Sequence, residues 1–124
     1  ALKQLRQRET LTQYKSLLEL RGSIISDPRH APSIDAASRR LCVSEGYFGL
    51  IYKKCFGVSY VQDCINEKIM LARYLLCTTV MSVYMAALQC GYTDEKYFAR
   101  QFRQNVGYSP LQYRKWLSQI VGEI

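Results

Sequence analysis

Lys96, Arg100 and Arg103 recur at i, i+4 and i+7. At about 100° per residue of helix these three cations form one stripe, nearly opposite Phe98 and Phe102. The chemistry on offer is recognition rather than bond making. A guanidinium can take guanine O6 and N7 together, and an ammonium can take a base edge or a phosphate. Arg100 is the expected guanine reader, and Lys96 reaches a base or a phosphate. Ala99 beside them is small enough to meet a thymine methyl. Arg103 lies a turn further from the helix start, where phosphate is the natural partner. Glu95 either accepts from a cytosine amino group or, in the first turn, complements the helix dipole. The plain alternative for the stripe is a solvated charged face.

The same region is repeated. Residues 33–62 laid over 83–112 without a gap share eight identities: Ala36, Ala37, Glu45, Tyr47, Phe48, Gly57, Ser59 and Gln62 fall on Ala86, Ala87, Glu95, Tyr97, Phe98, Gly107, Ser109 and Gln112. A unit of this length made of short helices implies two copies of one helical module. The positions matching Lys96, Ala99 and Arg100 are Gly46, Gly49 and Leu50, none of which has a side-chain donor. The two glycines each cost a helix about 1 kcal/mol relative to alanine. The first copy is therefore expected to lie close to a duplex yet read it weakly, through shape and methyl contact. Lys53 and Lys54 would hold phosphates. The helix starts at Ser59 and Ser109 offer backbone amides to phosphate, although capping alone accounts for both serines. Arg39 and Arg40 fall on a solvated or phosphate-facing edge.

The elements that position these residues read as helices. Ser33, Ser44, Ser59, Asp94 and Ser109 are capping types, and Gly57, Gly91 and Gly107 are stops. The spacing predicts helices over about 2–26, 33–41, 44–56, 59–77, 80–90, 94–105 and 109–121, the fifth beginning at Thr79 or Val80. The pairs 33–41 with 44–56 and 81–90 with 94–105, each joined by a tight turn, have helix-turn-helix spacing. In the first helix the apolar residues are Leu11, Tyr14, Leu17, Leu18, Ile24 and Ile25. Its polar first ten residues read as the end of a linker. The organisation is all-α: a leading helix over 1–26, a first lobe over 27–58, a connecting helix over 59–78 and a second lobe over 79–124. Met70, Leu71 and Tyr74 widen the apolar face of the connector, as core packing would require, and Tyr113, Arg114 and Trp116 are expected to pack and pair within the second lobe.

Composition agrees. A net charge of +7 and a pI near 9.3 favour a polyanionic partner. No apolar run approaches the roughly 20 residues of a membrane helix, and Lys3, Arg6, Arg8 and Glu9 interrupt any leader pattern. The five cysteines contain no C-x-x-C pair and His30 is the sole histidine. Scattered thiols fit buried free cysteines in a reducing cytoplasm, with no metal site and no cofactor.

The second copy resembles the AraC/XylS family of bacterial transcription regulators. Ala86, Cys90-Gly91-Tyr92, Asp94, Tyr97-Phe98, Arg100, Phe102-Arg103, Gly107, Ser109-Pro110 and Tyr113-Arg114 follow its signature in order and spacing. In the first copy Ser44, Tyr47-Phe48, Tyr52-Lys53-Lys54 and Gly57 fit it, as do Lys68-Ile69, Ala72 and Leu75-Leu76 beyond. The Tyr-Phe pairs look most like the response-regulator branch, and no receiver domain lies within these residues. The resemblance implies seven helices in two helix-turn-helix lobes joined by a long central helix. It further implies sequence-specific binding to double-stranded promoter DNA, with activation as the usual outcome. RNA polymerase stays open as a second partner, and dimerisation belongs to an N-terminal segment absent here. A connector of 19 residues would be about 28 Å long at ~1.5 Å per residue, against ~34 Å between adjacent major-groove faces.

Two other readings stand beside this one. Similar modules occur in proteins that repair alkylated DNA by transferring the alkyl group to a cysteine. A thiolate nucleophile needs an electropositive, partly exposed setting, and here Cys55, beside Lys53 and Lys54, comes nearest to it; Cys64 and Cys77 read as core. Alternatively, Gly46 and Gly49 mark a lobe that docks on protein.

Overall fold

The computed structural model describes residues 2–123, which form seven α-helices and no strand. They are α1 Leu2–Ser26, α2 Ile34–Arg40, α3 Glu45–Phe56, α4 Tyr60–Thr78, α5 Val83–Gln89, α6 Glu95–Val106 and α7 Pro110–Glu123. A 3-10 turn, Pro28–His30, follows α1. The all-α, seven-helix expectation is met.

Local chemistry sets most of the boundaries. The hydroxyl oxygens of Ser33, Ser44 and Ser82 accept from the amides of Ala36, Tyr47 and Met85 at 3.1, 3.2 and 3.1 Å. Gly57 and Gly107 end α3 and α6 in the left-handed conformation, φ 74° and 94°, each donating its N–H to a carbonyl four residues back at 2.8 Å. The fifth helix departs from the sequence reading. Thr79 does not open it: its hydroxyl donates back to the Leu75 carbonyl at 2.6 Å, closing α4. Val80 stands fully in solvent, and Ser82 is the cap.

The helices form two compact units, one ending at Cys64 and the next beginning at Ile65, so that α4 belongs to both. In the first unit, Leu17, Leu20 and Ile24 of α1 bury against Ala37, Phe48, Tyr52 and Tyr60. In the second, Ile69, Ala72 and Leu76 of α4 bury against Ala86, Ala87, Cys90, Tyr92, Phe98, Phe102 and Tyr113. The leading helices thus use the same i, i+3, i+7 spacing, 52 residues apart. α1 stands to the first unit as α4 stands to the second, and the repeat is longer than 33–62.

The repeat is also not gapless. The caps Ser33 and Ser82 are 49 residues apart. The turn bond from Val43 N–H to the Ser38 carbonyl, 3.1 Å, recurs from Tyr92 N–H to the Ala87 carbonyl, 3.0 Å. From Glu45 and Glu95 onward the offset is 50, so the second turn holds one extra residue. The buried counterparts of Ala86 and Ala87 are therefore Ala37 and Ser38, while Ala36 is exposed. Ser38 tolerates this burial because its hydroxyl donates to the Asp35 carbonyl at 2.9 Å. Cys42 (φ 57°) takes the left-handed turn position that Gly91 (φ 92°) takes in the second unit.

Other expectations are corrected. Leu11, Tyr14, Leu18 and Ile25 are substantially exposed, because they lie off the 17/20/24 stripe that enters the first core. Met70 and Tyr74 project outward at 59% and 62% exposure, whereas Leu71 packs on the second core. Of the thiols, Cys90 is buried and Cys64 half-buried, but Cys42, Cys55 and Cys77 are exposed; Cys77 is not core.

The first core encloses a carboxylate. Asp63, 3% exposed, accepts the Tyr52 hydroxyl at 2.5 Å and the Arg21 Nε–H at 3.0 Å on the same oxygen, Oδ2. Burial, and then the bond to Asp63, hold the Tyr52 phenol above its ordinary range. In the second core, burial pushes the Cys90 thiol up from 9.0 to about 11, with Lys68 pulling the other way. The folded chain keeps a proton there that the unfolded chain releases. This stability is complete below the unfolded value of 9.0 and is lost as pH rises through about 11. The buried phenols of Tyr52, Tyr60 and Tyr92, also raised, carry the loss to higher pH. Thermal unfolding should therefore shift to lower temperature as pH is raised above about 9, and Cys90→Ala should flatten the first part of that fall. Thiol alkylation of the native protein near pH ~8 should mark Cys42, Cys55 and Cys77 well before Cys90.

Candidate nucleic-acid interface

In α6, Phe98 and Phe102 are completely buried, and their anchoring turns Lys96, Arg100 and Arg103 outward, all three exposed. Among the described residues none of the three pairs with a carboxylate. Ala99 flanks the stripe, half-buried, and Glu95 is exposed in the first turn. The Asp94 side chain caps the helix by accepting from the Lys96 amide at 2.9 Å. These residues, which sequence reasoning grouped together, share one exposed flank of one helix.

An adjoining chain of polar contacts was not anticipated. The Tyr92 hydroxyl donates to Gln101 Oε1 at 2.5 Å, and Gln101 Nε2 donates to the Tyr97 hydroxyl at 2.8 Å. Tyr92 is buried and the Lys68 ammonium lies 5.3 Å from its ring centroid. Burial first, then its neighbours Cys90 and Tyr97, raise the Tyr92 phenol. The chain fixes the half-exposed ring of Tyr97 at the rim of the basic stripe. Its one sequence signal was the i, i+4 spacing of Tyr97 and Gln101; the link to Tyr92 crosses the turn.

In α3, Phe48 and Tyr52 are the buried anchors and Gly46, Gly49, Leu50 and Lys53 face outward, Leu50 at 59% exposure. A Cβ built at Gly46 or Gly49 meets nothing within 4 Å, so the unit's own packing demands neither glycine. Lys54 lies one step around the helix from Lys53. With Tyr47, Ile51 and Cys55 it lines a mostly apolar groove of about 390 Å³ against Thr10, Leu11 and Tyr14 of α1. The two lysines therefore occupy different faces.

The remaining residues are scattered. Arg40 is exposed in the last turn of α2, and Arg39 beside it pairs with Asp35 at 3.0 Å. Ser59 is exposed and accepts from the Gln62 amide at 3.2 Å. Ser109 is half-buried in a reciprocal cap: its hydroxyl oxygen accepts from the Gln112 amide at 3.2 Å and its own N–H donates to Gln112 Oε1 at 3.1 Å. Tyr113 is buried, Trp116 stacks on Tyr108 and Tyr113, and Arg114 donates to the carbonyls of Leu76 and Thr79, closing the end of α4. No cluster of metal-ligating side chains occurs among the described residues, and no helix among them is long and apolar enough to cross a membrane.

The sequence matches the helix-turn-helix domain family over residues 37–115, more than half of the chain. It is 28% identical over 102 residues to the arabinose operon regulatory protein of Escherichia coli K12, covering 81% of this chain and 35% of that protein. The C-terminal domain of the two-component response regulator yesN from Fusobacterium nucleatum superposes with a TM-score of 0.70 at 32% identity, over 77% of this chain and 95% of that one. The DNA-binding domain of AdpA, a global transcriptional factor solved in complex with a target DNA, shares the fold at a TM-score of 0.74 and 24% identity, over 80% of this chain and 89% of that one. The chain spans about a third of the length of the curated relatives it matches. With its two helix-turn-helix pairs and the basic face of α6, the chain belongs to the AraC/XylS family of DNA-binding transcription regulators.

Proposed function

We propose that this chain binds promoter DNA sequence-specifically, with α6 reading bases in one major groove and α3 resting closely in the next. The observation that carries this reading is the asymmetry of the two outward faces. Among the described residues α6 presents Lys96, Arg100 and Arg103 without carboxylate partners, with Ala99 beside them, while the matching positions of α3 present Gly46, Leu50 and Lys53, with Gly49 for Ala99, so that two of the three cations are missing. Arg100 takes a guanine edge, Lys96 a base or phosphate and Ala99 a thymine methyl. Glu95 either accepts from a cytosine amino group or complements the helix dipole, and Arg103 holds phosphate. On the other unit Gly46, Gly49 and Leu50 admit the groove floor by shape and methyl contact, and Lys53 neutralises phosphate. Lys54, Arg40 and the helix starts at Ser59 and Ser109 add backbone contacts at the edges. Family resemblance carries activation as the usual outcome. No covalent step is needed, because phosphate neutralisation supplies affinity and base edges supply choice.

Selection from a random duplex pool gives the site on which the reading is tested. Arg100→Ala should cost about 1–3 kcal/mol on the selected site and relax preference at one position. Lys53→Ala should instead weaken all sequences alike and reduce the salt slope by about 1. An unchanged specificity profile for Arg100→Ala would remove that residue from base reading.

Scrambling the half-site under α6 should cost far more affinity than scrambling the half under α3; equal losses would refute the asymmetry. The double substitution Gly46→Ala, Gly49→Ala should stabilise α3 by up to about 1 kcal/mol per site and raise Tm, yet lower affinity for the selected duplex. A more stable variant that binds as well as the parent would show that nothing approaches that face closely.

A further inference from the structure

We infer that Arg21 is a positioning residue, which ties α1 to α3 through Asp63 and Phe56 and so sets how the first unit presents α3 to DNA. The inference rests on the DNA-binding reading above and adds the means by which α1 bears on that binding. Arg21 Nε donates to Asp63 Oδ2 at 3.0 Å, and its guanidinium carbon lies 4.9 Å from the centroid of the Phe56 ring, the last residue of α3. The same Asp63 oxygen takes the hydroxyl of Tyr52, one turn earlier in α3. One buried carboxylate oxygen thereby joins α1, α3 and α4. At the other end of α3, the Tyr47 hydroxyl reaches Gln13 Oε1 of α1 at 3.4 Å. α3 is thus held against α1 at both ends.

The second unit shows what is particular here. Arg73 of α4 stands 52 residues after Arg21, the spacing shared by the buried stripes of α1 and α4. Its Nε donates to the Tyr113 hydroxyl at 3.2 Å, and its guanidinium carbon lies 5.5 Å from the Tyr113 ring centroid. Tyr113 is 50 residues after Asp63. The arginine and its target recur, but Phe102 replaces Tyr52 and has no hydroxyl to close the link. The link through a tyrosine hydroxyl of the helix itself belongs to the first unit; in the second, Lys68 of α4 reaches α6 by way of the Tyr92 ring and Gln101.

α1 is shaped to use it. Its buried residues are Leu17, Leu20 and Ile24, while residues 2–12 are all exposed. The eleven exposed residues extend about 16 Å at ~1.5 Å per residue. A tilt or twist applied to that arm reaches α3 through Arg21.

The test compares parent, Arg21→Ala and the double variant Arg21→Leu, Asp63→Asn. The double variant removes both charges of the pair and leaves no unpaired buried carboxylate, so it separates stability from positioning. Each is measured for Tm, for amide exchange of α3 against α6, and for binding to the selected duplex and to one scrambled under α3. Arg21→Ala should lower Tm, speed exchange in α3 by about tenfold without matching change in α6, and lose affinity only on the intact site. The double variant should regain Tm while keeping the fast exchange and the binding loss. Recovery of exchange and binding together with Tm would overturn the inference and leave the pair a stabilising contact only. If the parent binds no duplex, the DNA reading fails, and α3 exchange in the two variants still decides whether Arg21 positions that helix.

Discussion

Two aromatic rings four residues apart, both removed from water, fix the rotation of α3 and of α6. In α3 they are Phe48 and Tyr52; in α6 they are Phe98 and Phe102; all four are completely buried, and the centroids within each pair are 5.8 Å apart. Turning either helix by one residue, about 100°, would lift a ring into solvent, at a cost of roughly 1.5–3 kcal/mol per ring. No outward-facing cation offers a comparable return, since exposed ion pairs are worth about 0–1 kcal/mol. The core therefore decides which side chains face out. Lys96, Arg100 and Arg103 are presented because Phe98 and Phe102 cannot be.

The rest of each unit serves that anchoring. Ala37, Ala86 and Ala87 are fully or almost fully buried, and a methyl side chain lets the first helix of each pair cross the ring-bearing helix closely. Partner rings meet the anchors edge-on: Tyr60 against Phe48 at 5.0 Å, Tyr92 against Phe98 at 5.0 Å and Tyr113 against Phe102 at 5.4 Å. α3 carries a further load, because Gly46 and Gly49 weaken it by about 1 kcal/mol each. Phe56 and Tyr60 around Tyr52, at 4.7 and 5.2 Å, with Asp63 beneath them, offset that intrinsic weakness.

Features set by neighbours in the chain were legible in the sequence; features set across space were not. Ser44, Gly57, Asp94 and Gly107 announced the ends of α3 and α6 because a cap acts within one turn. The start of α5 was obscure because Thr79 and Ser82 are both capping types, and only the back-bond from Thr79 to Leu75 decides between them. The extra residue in the second turn was hidden by Ala36-Ala37 aligning with Ala86-Ala87, an identity that the buried pair Ala37-Ser38 contradicts. The cationic stripe of α6 could be read from i, i+4, i+7 alone. The Arg21–Asp63 pair spans 42 residues and leaves no local pattern. Lys53 and Lys54 looked alike because adjacency in sequence conceals a 100° turn of helix.

The two units solve different positioning problems with one architecture. A lysine or arginine has several rotatable bonds between backbone and charge, so α6 can be misplaced by an ångström or more and its side chains still reach their partners. A face made of Gly46, Gly49 and Leu50 has no such reach; whatever it meets must meet the backbone, and its complementarity falls off as steeply as a van der Waals contact. On the proposed reading, a helix that meets DNA by proximity must be placed more accurately than one that reaches it by extension. The structure distributes its restraints accordingly. α3 is held by Tyr52 on Asp63, by Arg21 on Phe56 and by Tyr47 on Gln13, while α6, with Phe102 at the position of Tyr52, is held by its rings and by the single bond from Tyr92 to Gln101.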